Sequence, residues 1–213
     1  MKRTLWAIAQ MIYHVFAPWR RKWRRRWGAR PEEPDPALPG EALIPDAAWE
    51  FTHVVSIAAE PDEVWPWIVQ MGQGRGGFYS FERLENLMGC QITNTNVVLP
   101  DYQTLSPGDD IRLHPTAPPL QVAEVVPGRS LVLHSAPGDD APGDDAAHPT
   151  DTVWAFHILP DGPGSSRLIE RGKGLFGVSM AERLFFSPLL FEPLGFVMSR
   201  EMLLAIKERV ERD

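Results

Sequence analysis

A single cysteine, Cys90, stands in 213 residues. With no second thiol there is no intramolecular disulfide and no multi-cysteine zinc site, so a reducing cytoplasm suits the chain best. The six histidines, at positions 14, 53, 114, 134, 148 and 157, show no i, i+4 pair. No metal-ligand spacing is present, and neither a metal nor a cofactor is expected. Acids are missing from the first 30 residues, which hold nine of the 21 Lys and Arg, whereas the other 183 residues carry 12 bases against 28 acids. So acidic a body repels phosphates, and nucleic acid is not expected as a partner.

What is present is ordinary for a globular chain: 44% hydrophobic and 23% charged residues. The length suits one domain of about 150 residues with an appendage. The composition divides it into a basic amphipathic helix over 1–30, expected to stand apart from the body and to associate with a membrane, a Pro- and acid-rich linker over 31–47 and a folded domain over 48–213. From Leu5 to Phe16 the basic segment is mostly apolar before Pro18 stops it, which is short of the about 20 residues that a membrane span needs. Indole and guanidinium groups then interleave as WRRKWRRRW, a composition suited to lipid headgroups. The expected membrane contacts are Trp6, Trp19, Arg20, Arg21, Trp23, Arg24 and Trp27, on an anionic surface at the inner face of the membrane. An RNA-binding or merely solubilising tail is the alternative. The linker is read as a stiff extended tether.

Within the domain, Trp49, Phe51, His53, Val55 and Ile57 alternate with smaller or polar neighbours, the period of a half-buried strand. Pro61, Asp62 and Glu63 open a helix, with Val64, Ile68 and Met71 along one side and a kink or tighter turn expected at Pro66. GQGRGG breaks the chain before a short second helix that ends at Gly89. Strands over 111–113, 120–126, 130–134, 152–159 and 166–173 read as an antiparallel meander, and a helix over 194–212 closes the chain with Met198, Met202, Ile206 and Val210 four apart. The repeated APGDD of 136–147 reads as a mobile loop.

Gly72, Gly74 and Gly77 satisfy G-x-G-x-x-G, but the motif follows a helix where a dinucleotide fold needs a strand. A permissive inter-helix turn is the plainer reading. Gly177 to Ala181 nearly matches a nucleophile elbow without the surrounding parallel sheet.

The segments PDEVWPWIVQMGQGRGGFYSFERLENLMG (61–89), PGDDIRLHP (107–115) and FEPLGFVMSREMLLAIKERVER (191–212), taken with the element order, resemble the START-like (SRPBCC, helix-grip) superfamily. The likeness is to a bacterial branch related to polyketide cyclase/dehydrase and lipid-transport proteins. It spans residues 48–212 and implies an α+β fold: a curved antiparallel sheet wrapped around the C-terminal helix, two short helices after the first strand, and a cavity for an apolar ligand. Under that resemblance Gln73, Arg75 and Tyr79 form the rim of the cavity mouth. Met198 and Met202 line the cavity or simply fill core. His134, His157, or Glu170 with Arg171 place a titratable group in it or face outward. The implied function is a membrane-tethered module that binds a hydrophobic or lipid-like molecule. A cyclase, aromatase or dehydratase acting on a polyketide-like substrate and an interaction adaptor with a filled core are the alternatives, and no catalytic residues stand out.

Overall fold

The computed structural model describes residues 2–33, 37–135, 151–175 and 191–212. Two sequence readings, the acidic repeat of 136–147 and the elbow-like Gly177 to Ala181, lie outside the described residues.

After the basic segment the chain forms β1 (Trp49–Ile57), α3 (Pro61–Val69), α4 (Glu82–Leu87), β2 (Asp110–Ile111), β3 (Leu120–Val126), β4 (Ser130–Ser135), β5 (Thr152–Pro160), β6 (Ser166–Gly174) and α5 (Phe191–Val210). The six strands form one antiparallel sheet in the order β1-β6-β5-β4-β3-β2. α3 and α4 carry the chain from one edge of the sheet to the other, and the meander brings it back beside β1. A register shift between Val122 and Glu124 breaks the β3 ladder, the kind of irregularity that bends a strand. Helix α3 starts on a reciprocal cap between Glu60 and Glu63 and runs through Pro66.

Because side chains alternate along a strand, the sheet has two distinct faces. The inner face presents Val55, Ile57, Leu131, Leu133, Phe156, Ile158 and Leu168. Helix α5 closes on it with Met202, Leu203 and Ile206, and α3 adds Val64, Trp67 and Ile68. This is the expected α+β helix grip, with the sheet on one side and the long closing helix on the other.

The basic segment is folded onto this body as α1 (Lys2–Val15), a 3-10 turn (Pro18–Arg20) and α2 (Arg21–Arg25). α1 packs on α5, and α2 packs on β1 and α5. Ala7, His14, Ala17 and Arg24 are buried in that contact. β1 is an edge strand, and the segment covers its open side: Val54 donates its N–H to the Trp27 carbonyl at 2.9 Å, and Arg25 donates to the Glu50 carbonyl at 2.6 Å. Gly28 makes this approach possible. Its φ is +73°, and a Cβ there would stand 2.0 Å from the Val54 carbonyl oxygen.

The linker also differs from the expected tether. Its acids meet a row of cations on the outer face of β6: Glu33 pairs with Arg167 at 2.6 Å, and Glu41 with Arg171 at 2.8 Å and Lys173 at 3.0 Å. Ile44 then seals Val132, Val153 and Ala155 on the same face. Opposite charge and one apolar anchor hold down a stretch whose composition alone favours extension.

Candidate functional site

The inner face of the sheet carries a buried polar cluster. In the β1–β6 register His53 stands opposite Glu170, which sets their side chains next to each other on the side facing α5. His53 Nδ1 lies 3.2 Å from Glu170 Oε2. The other oxygen of Glu170 accepts from Trp154 Nε1 and from Ser199 Oγ, both at 2.9 Å. The carboxylate is thus tied to two strands and to α5, and it holds the imidazole by one nitrogen. The ring is further fixed by stacking on Phe51, with centroids 4.4 Å apart, and by edge contact with Phe196 at 5.6 Å.

His53 lines a cavity of about 50 Å³ between β1, the first turns of α5 and the basic segment. Trp49, Phe51, Phe191 and Phe196 make its walls aromatic, while Arg24 and Glu192 make one side polar. Arg24 is almost fully buried. It donates to the carbonyls of His14 and Ala17 at 3.0 and 3.1 Å and to Glu192 at 3.2 Å, while its Nε has no hydrogen-bond partner. Since Glu170 occupies Nδ1, Nε2 is left as the free ring nitrogen of His53. The site therefore combines an oriented imidazole, a buried cation and aromatic walls, in a space that holds a functional group or one or two waters.

The residues expected to form a cavity rim are placed elsewhere. Tyr79 is buried in the core: its hydroxyl accepts from Gln70 Nε2 at 2.8 Å and donates to the Trp67 carbonyl at 3.1 Å, and the Arg209 guanidinium lies over its ring at 4.9 Å. Burial pushes its hydroxyl up to about 12. Arg75 lies over the Tyr102 ring at 4.6 Å and donates to the Val69 carbonyl. Gln73 is half-buried and donates its backbone N–H to the Arg112 carbonyl. The three tie the glycine-rich turn to α3, to α5 and to the segment that follows α4. Gly77, at φ +79°, is required because a Cβ would meet Asn94 Oδ1 at 2.3 Å.

His134, His157 and Arg171 share the outer face, away from α5. The register pairs Ser130 with His157 and Ala155 with Arg171, one residue out of phase with Phe156 and Glu170. His134 Nε2 meets Asp151 at 2.7 Å. His157 is fully buried with Nδ1 3.0 Å from Ser130 Oγ, and burial, assisted by the Arg171 charge, holds it down at about 4. Of the two methionines, Met202 belongs to the main core, and Met198 packs with Phe81, Phe196 and Val197 and accepts from Ser80 Oγ at 3.5 Å. Sequence reasoning singled out Glu170 but passed over His53, which the strand period already set on one face with Phe51 and Val55.

In the basic segment Trp6, Trp19, Arg20 and Trp23 are exposed. Arg21 is half-buried and pairs with Glu192 at 2.8 Å. Arg24 and Trp27 are corrected as membrane contacts, because Arg24 is internal and Trp27 packs against Phe196. No helix among the described residues is long and apolar enough to cross a membrane, and none of their His, Cys, Asp and Glu side chains form a group placed to hold a metal.

No protein-family model and no curated protein matches the chain. Solved structures similar to it include a START superfamily protein from Mycobacterium smegmatis, at 14% identity and TM-score 0.41, over 76% of this chain and 97% of that one. CalU16 from Micromonospora echinospora is similar at 16% identity and TM-score 0.34, over 76% and 84%. An HSP90 activator from Plasmodium falciparum is similar at 11% identity and TM-score 0.37, over 60% and 74%. The fold is a helix grip. The strand order and the closing helix of this chain themselves define it.

Proposed function

We propose that the chain is a membrane-associated helix-grip module that binds the polar end of an otherwise apolar small molecule at the aromatic end of the grip. The observation that carries the reading is the meeting of His53, held by Glu170, and buried Arg24 on one aromatic-walled cavity. A carbonyl or carboxylate end suits it: an imidazole and a guanidinium both recognise oxygen, and aromatic side chains accept an apolar body. The small volume limits the cavity to that end of the molecule.

A specific observation also supports the enzymatic alternative. An inward-facing pair of titratable groups is what proton transfer on a polyketide-like substrate requires, and Glu170 leaves His53 Nε2 free to take or return a proton. The adaptor reading draws its support from the middle of the grip, where Met202 and Phe156 pack into one continuous core.

The test is mass spectrometry of an organic extract of the native protein, set beside the His53→Gln variant. A co-purifying carbonyl or carboxylic compound that the variant loses supports the reading. An empty extract, together with a wild-type protein that never binds 8-anilinonaphthalene-1-sulfonate, overturns it in favour of the adaptor.

A further inference from the structure

A trough of about 970 Å³ runs between the basic segment and the outer face of the sheet. Four cations of the segment, Arg21, Lys22, Arg25 and Arg26, line it together with Arg171 and Lys173 of β6, against the carboxylates of Glu41 and Glu50. Three of the six are held within the fold: Arg21 by Glu192, and Arg171 and Lys173 by Glu41. Arg25 reaches Glu50 at 3.6 Å. Lys22 and Arg26 are exposed and make no ion pair among the described residues. On a chain of net charge -7, this is a concentrated positive surface.

Trp19 and Pro18 also line the trough, and they end an apolar row on the outward side of α1. Leu5, Ile8, Ile12, Phe16 and Trp19 recur at helical spacing with exposures of 62%, 40%, 54%, 74% and 74%. Ala7, His14 and Ala17 take the opposite side, against the body. The apolar row therefore remains uncovered after the segment has docked. A row of this kind beside Trp and Arg belongs to a helix that lies in a bilayer surface. A free anion would have no use for it.

We infer that the trough is the headgroup site of an anionic lipid whose bilayer receives the apolar row of α1. The inference deepens the membrane association proposed above and rests on it. Lys22 and Arg26 meet the phosphate or carboxylate of the headgroup, the remaining cations keep the trough positive, and Phe16 and Trp19 enter among the acyl chains.

Co-sedimentation of the full chain with vesicles of phosphatidylcholine, alone or mixed with phosphatidylserine, tests this. The wild type is expected to bind the mixed vesicles far more tightly than the neutral ones. Replacing two basic residues that face a headgroup, in the double variant Lys22→Ala with Arg26→Ala, is expected to weaken binding to the mixed vesicles about thirty-fold and to weaken binding to the neutral vesicles far less. Phe16→Ser is expected to weaken both. Wild-type binding by the double variant, with loss in Phe16→Ser, would overturn the headgroup site and leave the membrane association standing. Failure of the wild type to bind either vesicle would end the membrane association itself. Binding of soluble glycerophosphoserine without any binding to vesicles would make the trough a pocket for free anions and overturn the lipid assignment.

Discussion

His53 Nδ1 and Glu170 Oε2 lie 3.2 Å apart across neighbouring strands, in the one register position of the β1–β6 pair that sets an imidazole against a carboxylate on the inner face. Both side chains are buried. A carboxylate taken out of water is costly unless its lone pairs are filled, and Trp154 and Ser199 supply two further donors. The cluster therefore joins β1, β5, β6 and α5 at a single group, and the geometry that orients His53 also holds the closing helix on the sheet.

Removing that acceptor tests the coupling. Glu170→Leu takes the acceptor from buried His53 and from the half-buried Trp154 and Ser199 donors and is expected to cost about 3 kcal/mol in chemical denaturation. Glu170→Gln keeps the shape and costs about 1 kcal/mol. Long-range nitrogen NMR of the imidazole separates orientation from stability: the wild type is expected to carry its proton on Nδ1, facing Glu170, and the Gln variant to show a mixture of tautomers. An unchanged tautomer in that variant would remove Glu170 as the orienting group.

Arg24 decides whether the basic segment stays docked. Its guanidinium joins the end of α1 to Glu192 of α5, so Arg24→Met leaves the half-buried Glu192 to Arg21 alone and leaves the His14 and Ala17 carbonyls without their donor. The expected cost is about 1 to 3 kcal/mol, with faster tryptic cleavage between Arg20 and Arg30 while the core strands keep their protection. Wild-type proteolysis in the variant would show that the segment is held chiefly by Phe196 and its aromatic neighbours.

Glu85 sets a pH dependence. It is buried, Oε2 has no partner, and burial, with the nearby Glu82 charge, pushes its carboxyl up to about 7 from 4.5. The folded state therefore binds more protons than the unfolded chain between these values. The contribution of Glu85 to stability is fully present below about 4.5 and is lost as pH rises through about 7. Glu85→Gln is expected to be more stable than wild type at pH 8 by about 2 kcal/mol and close to it at pH 4. His14 and His157, both held down at about 4 chiefly by burial, act in the opposite sense: their contribution is present above about 6.5 and is lost as pH falls through about 4. Because that acid limb belongs to the histidines, Glu85→Gln should leave it in place. An alkaline limb identical in variant and wild type would place the titration elsewhere.

The sheet was readable because its strands alternate and its turns carry Pro, Gly and Asp. The closing helix was readable because Met202, Ile206 and Val210 recur every fourth residue. The candidate site was legible only in halves. Period two set His53 on the same side as Phe51, and Glu170 was noticed, but pairing them requires the β1–β6 register across 117 residues. The same one-residue alternation turned His134, His157 and Arg171 outward. The docking of the basic segment left no local signal at all. It depends on Glu192, on Asp161, which pairs with Arg30 at 2.8 Å, and on the Val54 N–H, all distant in sequence from the residues they meet.

Met202 offers the sharpest test of how far the grip is filled. It packs in the same core as Leu203, Ile206, Phe156 and Trp67, while the cavity lies along the helix at Phe191 and Phe196, more than one turn away. Met202→Trp therefore adds volume to the main core, and side chains in a close-packed core must leave their rotamer wells to admit it. The expected result is destabilisation of about 1 to 3 kcal/mol in chemical denaturation. Binding of 8-anilinonaphthalene-1-sulfonate by the folded fraction should stay at the wild-type level, because the aromatic end of the grip is untouched. A variant as stable as wild type that no longer binds the dye would mean that the ligand space extends to the middle of α5.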